Sequence, residues 1–374
     1  MSKKNWWLSI VVMVLVVITV IGCSSNNDEV SGEIKQEGDL LSEEQVDQVD
    51  RVDEAVELED EEEQPDVDEV QPEVVEESNE VYGNYNGNIF IGGRVDFYDE
   101  QFYIADDLGE GYGIYTVSVD GGEPNLVLEV GESSVKGLHV TPKGMFFVES
   151  NYEDDEQFQF YSFEDEEVIT IAKGKIDSPQ LADDKIWMMM IQTYPESQEG
   201  YYTYTLDTES FELERQPHSE AHVTVNNDYA VIQQEMFVYE LEDNGEVGEE
   251  IEVFSIGRTI LDGSTLYYNT DEGIHSYDLE TGEIQRHTSE YAQYFNARNG
   301  HIFYSPYVEA EVDRTVKYAS VEDGTDEILE DTMFYESYIF DRYMVAPYGR
   351  GATIYSIYDF ETGEWDTLYH SHGE

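Results

Sequence analysis

The sequence is poor in cysteine, in basic residues and in long apolar runs. Its 374 residues include one cysteine, and 18 lysines and arginines stand against 85 aspartates and glutamates. A single cysteine excludes an intramolecular disulfide, so the fold must be stabilised by its core. The shortage of cationic side chains disfavours nucleic-acid binding, which neutralises phosphates with Lys and Arg, and it also disfavours adhesion to anionic lipid surfaces.

One apolar run stands out, at residues 6–21, directly after Lys3 and Lys4. A charged start followed by such a run is typical of an export signal. The run has roughly 16 residues, fewer than the ~20 of a membrane-spanning helix, and no second run of that length follows. We therefore predict a signal peptide over residues 1–22, with an uncleaved signal anchor as the alternative.

Val20, Ile21, Gly22 and Cys23 end this segment. They resemble the lipobox of bacterial lipoproteins, in which aliphatic and small residues precede an invariant cysteine. The resemblance implies cleavage after Gly22 and a diacylglyceryl lipid on Cys23. Two acyl chains are enough for stable anchoring, at ~0.8 kcal/mol for each buried methylene. The expected location is the extracytoplasmic face of a bacterial cell membrane.

Residues 23–80 differ sharply in composition from the residues that follow. They contain no aromatic residue and several acidic runs, such as residues 59–63. Such a segment has too little apolar surface to offset the entropy lost on ordering. We predict a disordered acidic linker that holds a domain away from the membrane. The alternative is that its carboxylates capture metal ions or a basic partner.

The formal net charge of the chain is −67 at pH 7. Cations or basic partners are the natural counterparts of so acidic a surface. A strongly acidic surface also keeps a protein soluble at high salt or high pH. We expect this plainer role to account for most of the charge.

From Tyr82 onward, the chain consists of short alternating segments rich in Tyr, Phe and Ile that are separated by turn residues. The pattern repeats at intervals of about 40 residues, and such a repeat is typical of β-meanders. The predicted second strands have apolar clusters at residues 102–104, 145–147, 186–188, 230–232, 266–268, 302–304 and 343–345. The predicted third strands end at Val119, Phe163, Leu206, Leu241, Leu279, Val321 and Phe360. Glycine-containing turns, such as residues 120–122 and 281–282, follow them and supply positive φ.

These repeats predict an all-β fold over residues 81–374, a β-propeller of seven four-stranded blades that starts near Ile89 and ends near His370. A ring of blades leaves only short, protected sheet edges, which suits a chain without disulfides. Six blades are the alternative, because the fourth repeat is short and its last strand is weak.

Residues 83–93 read GNYNGNIFIGG, and the segments QFY and GIY follow at residues 101–103 and 113–115. This opening resembles a family of bacterial propellers likened to the propeller of low-density-lipoprotein-receptor-related proteins, in which a G-N-x-x-G-N start leads to N-G-G. Ile91 stands where that family often has asparagine. The resemblance covers roughly residues 83–128 and implies a secreted or surface-attached all-β domain, with no catalytic residue to carry over.

The sequence contains none of the common linear enzyme signatures, neither HExxH, nor G-x-S-x-G, nor a phosphate-binding glycine loop. His218 and His222 have a spacing that suits a metal only on a helix, and we predict a loop entering a strand there. Acidic clusters at residues 106–107, 154–156 and 183–184 offer oxygen ligands to Ca²⁺, but none has a calcium-loop motif. No cofactor is therefore predicted, and Ca²⁺ binding by these clusters has no motif to support it.

The loops between second and third strands share one propeller face with the blade-to-blade connections, and this face commonly carries ligands. Here three of these loops place tyrosine beside proline, and arginines lie near in sequence. Exposed rings and arginines suit a carbohydrate or a peptide carboxylate, although the same tyrosines would also serve to cap the blade cores. The candidate ligand-face residues are Tyr194, Tyr307, Tyr348, Arg314 and Arg350.

Two main classes of function follow, beside the alternative of a purely structural or accessory role in envelope assembly. The first is a membrane-anchored binding or scaffolding module, with a carbohydrate, a peptide or an envelope protein as ligand. The second is a carbohydrate-active enzyme, a lyase or glycosidase, that assembles carboxylates from separate blades without a linear motif. A pocket in which carboxylates converge with an arginine or histidine would favour the enzyme.

Overall fold

The computed structural model describes residues 82–370 apart from residues 110, 132, 152–155, 193–199, 220–221, 235–236, 242–246, 256, 307–315, 322–323, 325, 331–336 and 349–353. Within these residues, β-strands pair into seven antiparallel four-stranded sheets, and one short helix precedes them. Within the described residues, no helix is both long enough and apolar enough to cross a bilayer. The fold is the predicted seven-bladed β-propeller.

The first four blades are each built from four consecutive strands. Blade 1 contains β1 (Val95–Tyr98), β2 (Gln101–Asp107), β3 (Tyr112–Ser118) and β4 (Asn125–Glu129). Blade 2 contains β5 (Ser134–Thr141), β6 (Gly144–Ser150), β7 (Glu156–Ser162) and β8 (Val168–Lys173). Blade 3 contains β9 (Lys175–Ala182), β10 (Lys185–Gln192), β11 (Gly200–Asp207) and β12 (Leu213–Ser219). Blade 4 contains β13 (His222–Val225), β14 (Ala230–Gln234), β15 (Phe237–Leu241) and β16 (Val247–Phe254).

The last three blades repeat this plan. Blade 5 contains β17 (Ile260–Asp262), β18 (Thr265–Thr270), β19 (Gly273–Asp278) and β20 (Ile284–Arg286). Blade 6 contains β21 (Ala292–Arg298), β22 (His301–Pro306), β23 (Val316–Ser320) and β24 (Asp326–Glu330). Blade 7 contains β25 (Tyr338–Ile339), β26 (Tyr343–Tyr348), β27 (Ile354–Asp359) and β28 (Glu364–His370).

Burial is deepest in the middle strands and falls toward the outer edge of each blade. The first five residues of β6 are all buried, whereas β20 is exposed along its whole length. The middle strands are covered on both faces by neighbouring blades, which explains why their sequences are continuous apolar runs rather than strict alternations. The core therefore lies between the blades, around their inner three strands.

The ring closes without exchange of a strand between its ends, because blades 1 and 7 each use four consecutive strands. Apolar packing holds this junction, with Phe102 and Ile104 of blade 1 in one buried cluster with Tyr338 and Tyr355 of blade 7. The Tyr355 hydroxyl also donates a 2.6 Å hydrogen bond to Asp106. The closure thus depends on side chains rather than on a shared sheet.

The axial channel is lined by the first strand of each blade and is filled by the chain that precedes blade 1. This axial segment, residues 82–93, contains the helix α1 (Asn86–Phe90), which contacts β5, β9, β17, β21 and β25. The expectation that blade 1 starts near Ile89 is wrong, since Ile89 lies in α1 and β1 starts at Val95. Glycine and asparagine have low strand propensity, and here the asparagine side-chain amides bind the surrounding strands instead.

The predicted repeat positions are confirmed. Each of the seven apolar clusters lies in the second strand of a blade, and each predicted third-strand end falls within that strand or directly after it. The six-bladed alternative is excluded, because β16 pairs with β15 and completes blade 4.

Candidate functional site

The propeller has two faces that differ in the loops they carry. We call the end with the turns from first to second strand, and from third to fourth strand, the turn face. The opposite end, with the second-to-third loops and the blade-to-blade connections, is the connection face. The chain enters the channel at the turn face.

The predicted ligand-face residues come from loops that were expected on the connection face. Tyr194, Tyr307, Arg314 and Arg350 lie outside the described residues, as does Cys23. Tyr348 is the last residue of β26, but its side chain is not described. Ligand binding through these side chains stays a prediction.

Three sizeable cavities open on the turn face. The channel mouth, of about 310 Å³, includes Asn86, Asp262 and Arg298. The polar cavity, of about 410 Å³, adjoins it and is bordered by Trp187 and Tyr229. The aromatic cavity, of about 420 Å³, lies between blades 2 and 3. All three fall within the size range of small-ligand sites.

Buried asparagines of the axial segment connect the blades around the channel. Asn86 donates through its amide nitrogen to the carbonyls of Val225 and Leu261, and its oxygen accepts from the Leu261 N–H. The segment therefore supplies partners for polar backbone atoms that the inner strands would otherwise leave unpaired in the channel.

Asn88 makes the same kind of contact with blades 6 and 7. Its amide nitrogen donates to Ile339 O at 2.8 Å, and its oxygen accepts from Ile339 N at 2.7 Å and from the Asn296 amide at 2.7 Å. Gly87 lies between these asparagines, and a Cβ there would overlap the Asn296 side chain. Only glycine allows this close approach.

His139 and Asp96 hold the start of the axial segment. His139 Nδ1 accepts from the Asn84 N–H at 3.0 Å, so its proton is on Nε2, 2.9 Å from Pro179 O. Burial lowers the pKa of His139 to about 4. Burial raises the pKa of Asp96 to about 7, although its carboxylate accepts from the Val140 and Phe97 amides. Both side chains are therefore largely neutral between about pH 4 and about pH 7.

Carboxylates and an arginine meet at the channel mouth. Arg298 pairs with Asp341 at 2.6 Å and stacks over the Tyr85 ring at 4.3 Å. Burial raises the pKa of Asp262, whose oxygen accepts a 2.6 Å hydrogen bond from Asn299 N. Burial likewise raises the pKa of Tyr85, whose hydroxyl donates to Ala297 O. Each of these groups is already bonded to a neighbour within the fold.

The aromatic cavity is walled by five rings, and a strained residue forms part of that wall. Phe211 has φ of 57°, which is a rare conformation for a bulky side chain and costs of order 1–3 kcal/mol. Its ring packs 5.2 Å from Phe160 and 6.1 Å from Phe146. The rings of this wall are Tyr82, Phe146, Phe160, Phe163 and Phe211.

The same turn recurs in other blades with glycine at this position. In blade 3, Phe211 N donates to Asp207 O, and in blades 5 and 7 the matching donors are Gly282 and Gly363. Those glycines have φ of 71° and 70°. The turn therefore requires positive φ, and blade 3 adopts it with a phenylalanine.

Two of the acidic clusters considered for Ca²⁺ contain a carboxylate that is bonded within the fold. Asp106 accepts from Tyr355, and buried Glu156 pairs with Lys136 and accepts from Ile176 N. Asp154 and Asp155 lie outside the described residues. No group of three or more His, Cys, Asp or Glu within the described part of the chain is placed to hold a metal ion. Calcium binding stays a prediction.

His218 and His222 lie on strands of different blades, β12 and β13, rather than on a helix. His222 is near Asp177 and Arg258, which form a 2.8 Å ion pair. Burial and the Arg258 charge lower the pKa of His222. Burial alone would raise the pKa of Asp177, but Arg258 and Ser178 hold it below its ordinary value.

Comparison with solved structures finds related folds. The propeller domain of the Trilobed protease from Pyrococcus furiosus, described as having an open velcro topology, is 14% identical, with a TM-score of 0.54 over 79% of this chain and 100% of that chain. The chain shares the β-propeller fold of this domain. An acylaminoacyl peptidase from Pyrococcus horikoshii is 14% identical, with a TM-score of 0.52 over 78% of this chain and 54% of that one. A puromycin hydrolase is 13% identical, with a TM-score of 0.55 over 78% and 57%.

The chain thus spans just over half the length of these two enzymes. No protein-family model and no curated protein matches it by sequence. At these identities the likeness shows the fold alone.

Sequence reasoning missed two features of the turn face. The asparagines at 84, 86 and 88 were visible as an alternating pattern, but nothing in it shows that they enter a channel. Phe211 was detectable by aligning the turns, because Asp207 and Ser210 match Asp278 and Thr281 while phenylalanine replaces Gly282. That replacement marks a position where strain is tolerated.

Proposed function

We propose that this chain is a membrane-anchored extracytoplasmic lipoprotein whose propeller is a binding module with its ligand sites on the turn face. The filled axial channel is the observation that carries this proposal. Axial segment residues occupy the place where side chains from separate blades would have to converge on a substrate. Open cavities remain around the mouth, and they suit binding.

Support for the anchor comes from the sequence, namely the export signal and the lipobox-like residues that end at Cys23. We propose a lipid on Cys23, with residues 24–80 as the spacer. The likeness of residues 83–128 to propellers of the low-density-lipoprotein-receptor-related type agrees with a surface-attached domain.

We expect Cys23→Ser to abolish lipid attachment without changing the propeller. The measurement is incorporation of an alkyne-tagged fatty acid in a bacterial host, followed by membrane fractionation of wild type and variant. Wild type should be labelled and sediment with membranes, whereas the variant should be unlabelled. Equal labelling of both proteins would refute lipidation at Cys23.

An enzyme is the second candidate, because Asp262, Asp341 and Arg298 meet at the channel mouth. Their existing bonds favour a structural role. The discriminating experiment screens full-length protein against glycans, peptides and fluorogenic substrates for both binding and turnover. Saturable binding without turnover supports the binding module. Turnover that is lost in Asp262→Asn but retained in a control, Asp366→Asn on the outer strand β28, would establish the enzyme instead.

A further inference from the structure

The geometry points to the aromatic cavity as a site for an organic cation, that is, a positively charged amine or guanidinium carried on an apolar body. This inference rests on the proposed binding function and names its ligand class. The same chemistry is offered by a free aromatic amine and by a peptide with Lys or Arg beside an apolar residue.

The aromatic rings of the cavity wall become more exposed from its inner end to its outer end. Phe146 and Phe160 are buried and form the inner wall, with ring centroids 4.6 Å apart. Phe163 and Phe211 are partly exposed, and Tyr82 is exposed enough to form an outer wall. Faces of aromatic rings carry negative potential, so such a wall attracts cations as well as apolar groups.

The rim has a surplus of negative charge. Lys143 and Glu209 form an exposed ion pair at 2.8 Å, so their charges offset each other. Glu164 and Asp184 also border the cavity, and both are exposed. A ligand with an apolar body in the cavity would place its charge near these two carboxylates. An anionic ligand would be repelled by them and by the acidic molecule as a whole.

The turn that carries Phe211 does not itself need an aromatic ring. Glycine fulfils the same turn in blades 5 and 7, so folding of the turn does not require a ring at position 211. A large side chain in this conformation persists only where its surroundings favour it. The Phe211 ring caps the core between blades 2 and 3 and forms a wall of the cavity on its other side.

The test is isothermal titration calorimetry on the full-length protein. The probes are benzylamine and N-acetyl-Phe-Lys-amide, with benzyl alcohol and N-acetyl-Phe-Glu-amide as neutral and anionic controls. We expect the cationic probes to bind at least about tenfold more tightly than their controls, which corresponds to a single charged contact. Tighter binding of N-acetyl-Phe-Lys-amide would indicate a peptide ligand, and tighter binding of benzylamine would indicate a free amine.

Two sets of variants locate the binding. Phe211→Gly should weaken the binding of both cationic probes by about tenfold or more, because it removes one wall of the cavity. Glycine adopts the positive φ of this turn, so the turn itself should be retained. The pair Glu164→Gln and Asp184→Asn should remove the preference for cations and retain weak binding of benzyl alcohol. Glu364→Gln, on the exposed outer strand β28, is the matched charge control and should bind like wild type. Thermal melting confirms that each variant is folded.

Equal affinity for cationic and neutral probes, or binding unaffected by the folded carboxylate variants, would overturn the inference. If these probes fail while the ligand screen finds saturable binding without turnover, the ligand class is wrong and the binding module stands. Turnover lost in Asp262→Asn would instead overturn the proposed function, whatever the result at the aromatic cavity.

Discussion

At the scale of single residues, the channel contains two titratable groups whose burial acts in opposite directions. Asp96 binds its proton more tightly in the folded protein, with a pKa of about 7 against its ordinary value of 3.8. His139 binds its proton less tightly, with a pKa of about 4 against 6.5. Their effects on the pH dependence of stability therefore oppose each other over the shared range.

The sign follows from proton binding in the folded and unfolded states. The stability that Asp96 contributes is full below pH 3.8 and is lost as pH rises through about 7. The stability that His139 contributes is full above pH 6.5 and is lost as pH falls through about 4. Between about pH 4 and 6.5, folding takes up one proton at Asp96 and releases one at His139, so the two slopes cancel.

Replacing Asp96 or His139 alone should reveal how each residue makes the free energy of unfolding depend on pH. Relative to wild type, we expect the free energy of unfolding of Asp96→Asn to rise with pH by about 1.4 kcal/mol per unit between pH 4 and 6.5. His139→Gln should show a relative slope of the same size and opposite sign. The measurement is urea unfolding at several pH values. Variant curves that run parallel to wild type would contradict both shifts.

At the scale of elements, the axial segment acts as a central support for the ring. Asn88 is fully buried and serves three polar partners in blades 6 and 7. Its loss would leave Ile339 N–H and C=O buried without this partner. A buried unpaired group costs about 1–3 kcal/mol.

We expect Asn88→Ala to lower the free energy of unfolding by about 2–5 kcal/mol, because more than one buried group loses its partner. Asn125→Ala is the matched control, since Asn125 is exposed on the outer strand β4, and its effect should stay within about 0.5 kcal/mol. Chemical denaturation measures both. Equal stability of the two variants would show that the axial segment does not support the ring.

The strands and α1 differ in how far the sequence predicts them. Clusters such as residues 145–147 and 302–304 mark strands because period and turn residues act over a few neighbours. α1 has only five residues, and its asparagines bind groups far away in sequence. Its conformation depends on a channel that exists only when the ring has closed.

At the scale of the whole molecule, the charge of −67 acts against compactness. Folding brings carboxylates together, and dissolved salt screens exposed charges beyond about 10 Å at 0.1 M and about 3 Å at 1 M. Eight ion pairs within the described residues offset part of this repulsion, and most of them are partly exposed. Exposed pairs contribute little stability, typically about 0–1 kcal/mol each.

We expect the melting temperature to rise as NaCl increases from about 0.05 to 1 M, because salt relieves self-repulsion. A domain of this size should gain about 2–4 °C for each kcal/mol of repulsion removed. Differential scanning calorimetry measures the shift, with sucrose at matched osmolarity as the control for preferential exclusion. A melting temperature that is independent of NaCl would mean that repulsion within the acidic surface does not destabilise the fold.

By itself, the sequence determined the strand pattern, the seven blades, the lack of disulfides and the acidic surface, because these follow from local periodicity and composition. The tertiary structure decided what the sequence left open. Asn86 and Asn88 find partners 175 and 251 residues later in the chain, and Phe211 meets Phe146 across a blade boundary. Such contacts depend on ring closure, which brings distant residues together, and no spacing along the chain encodes them directly.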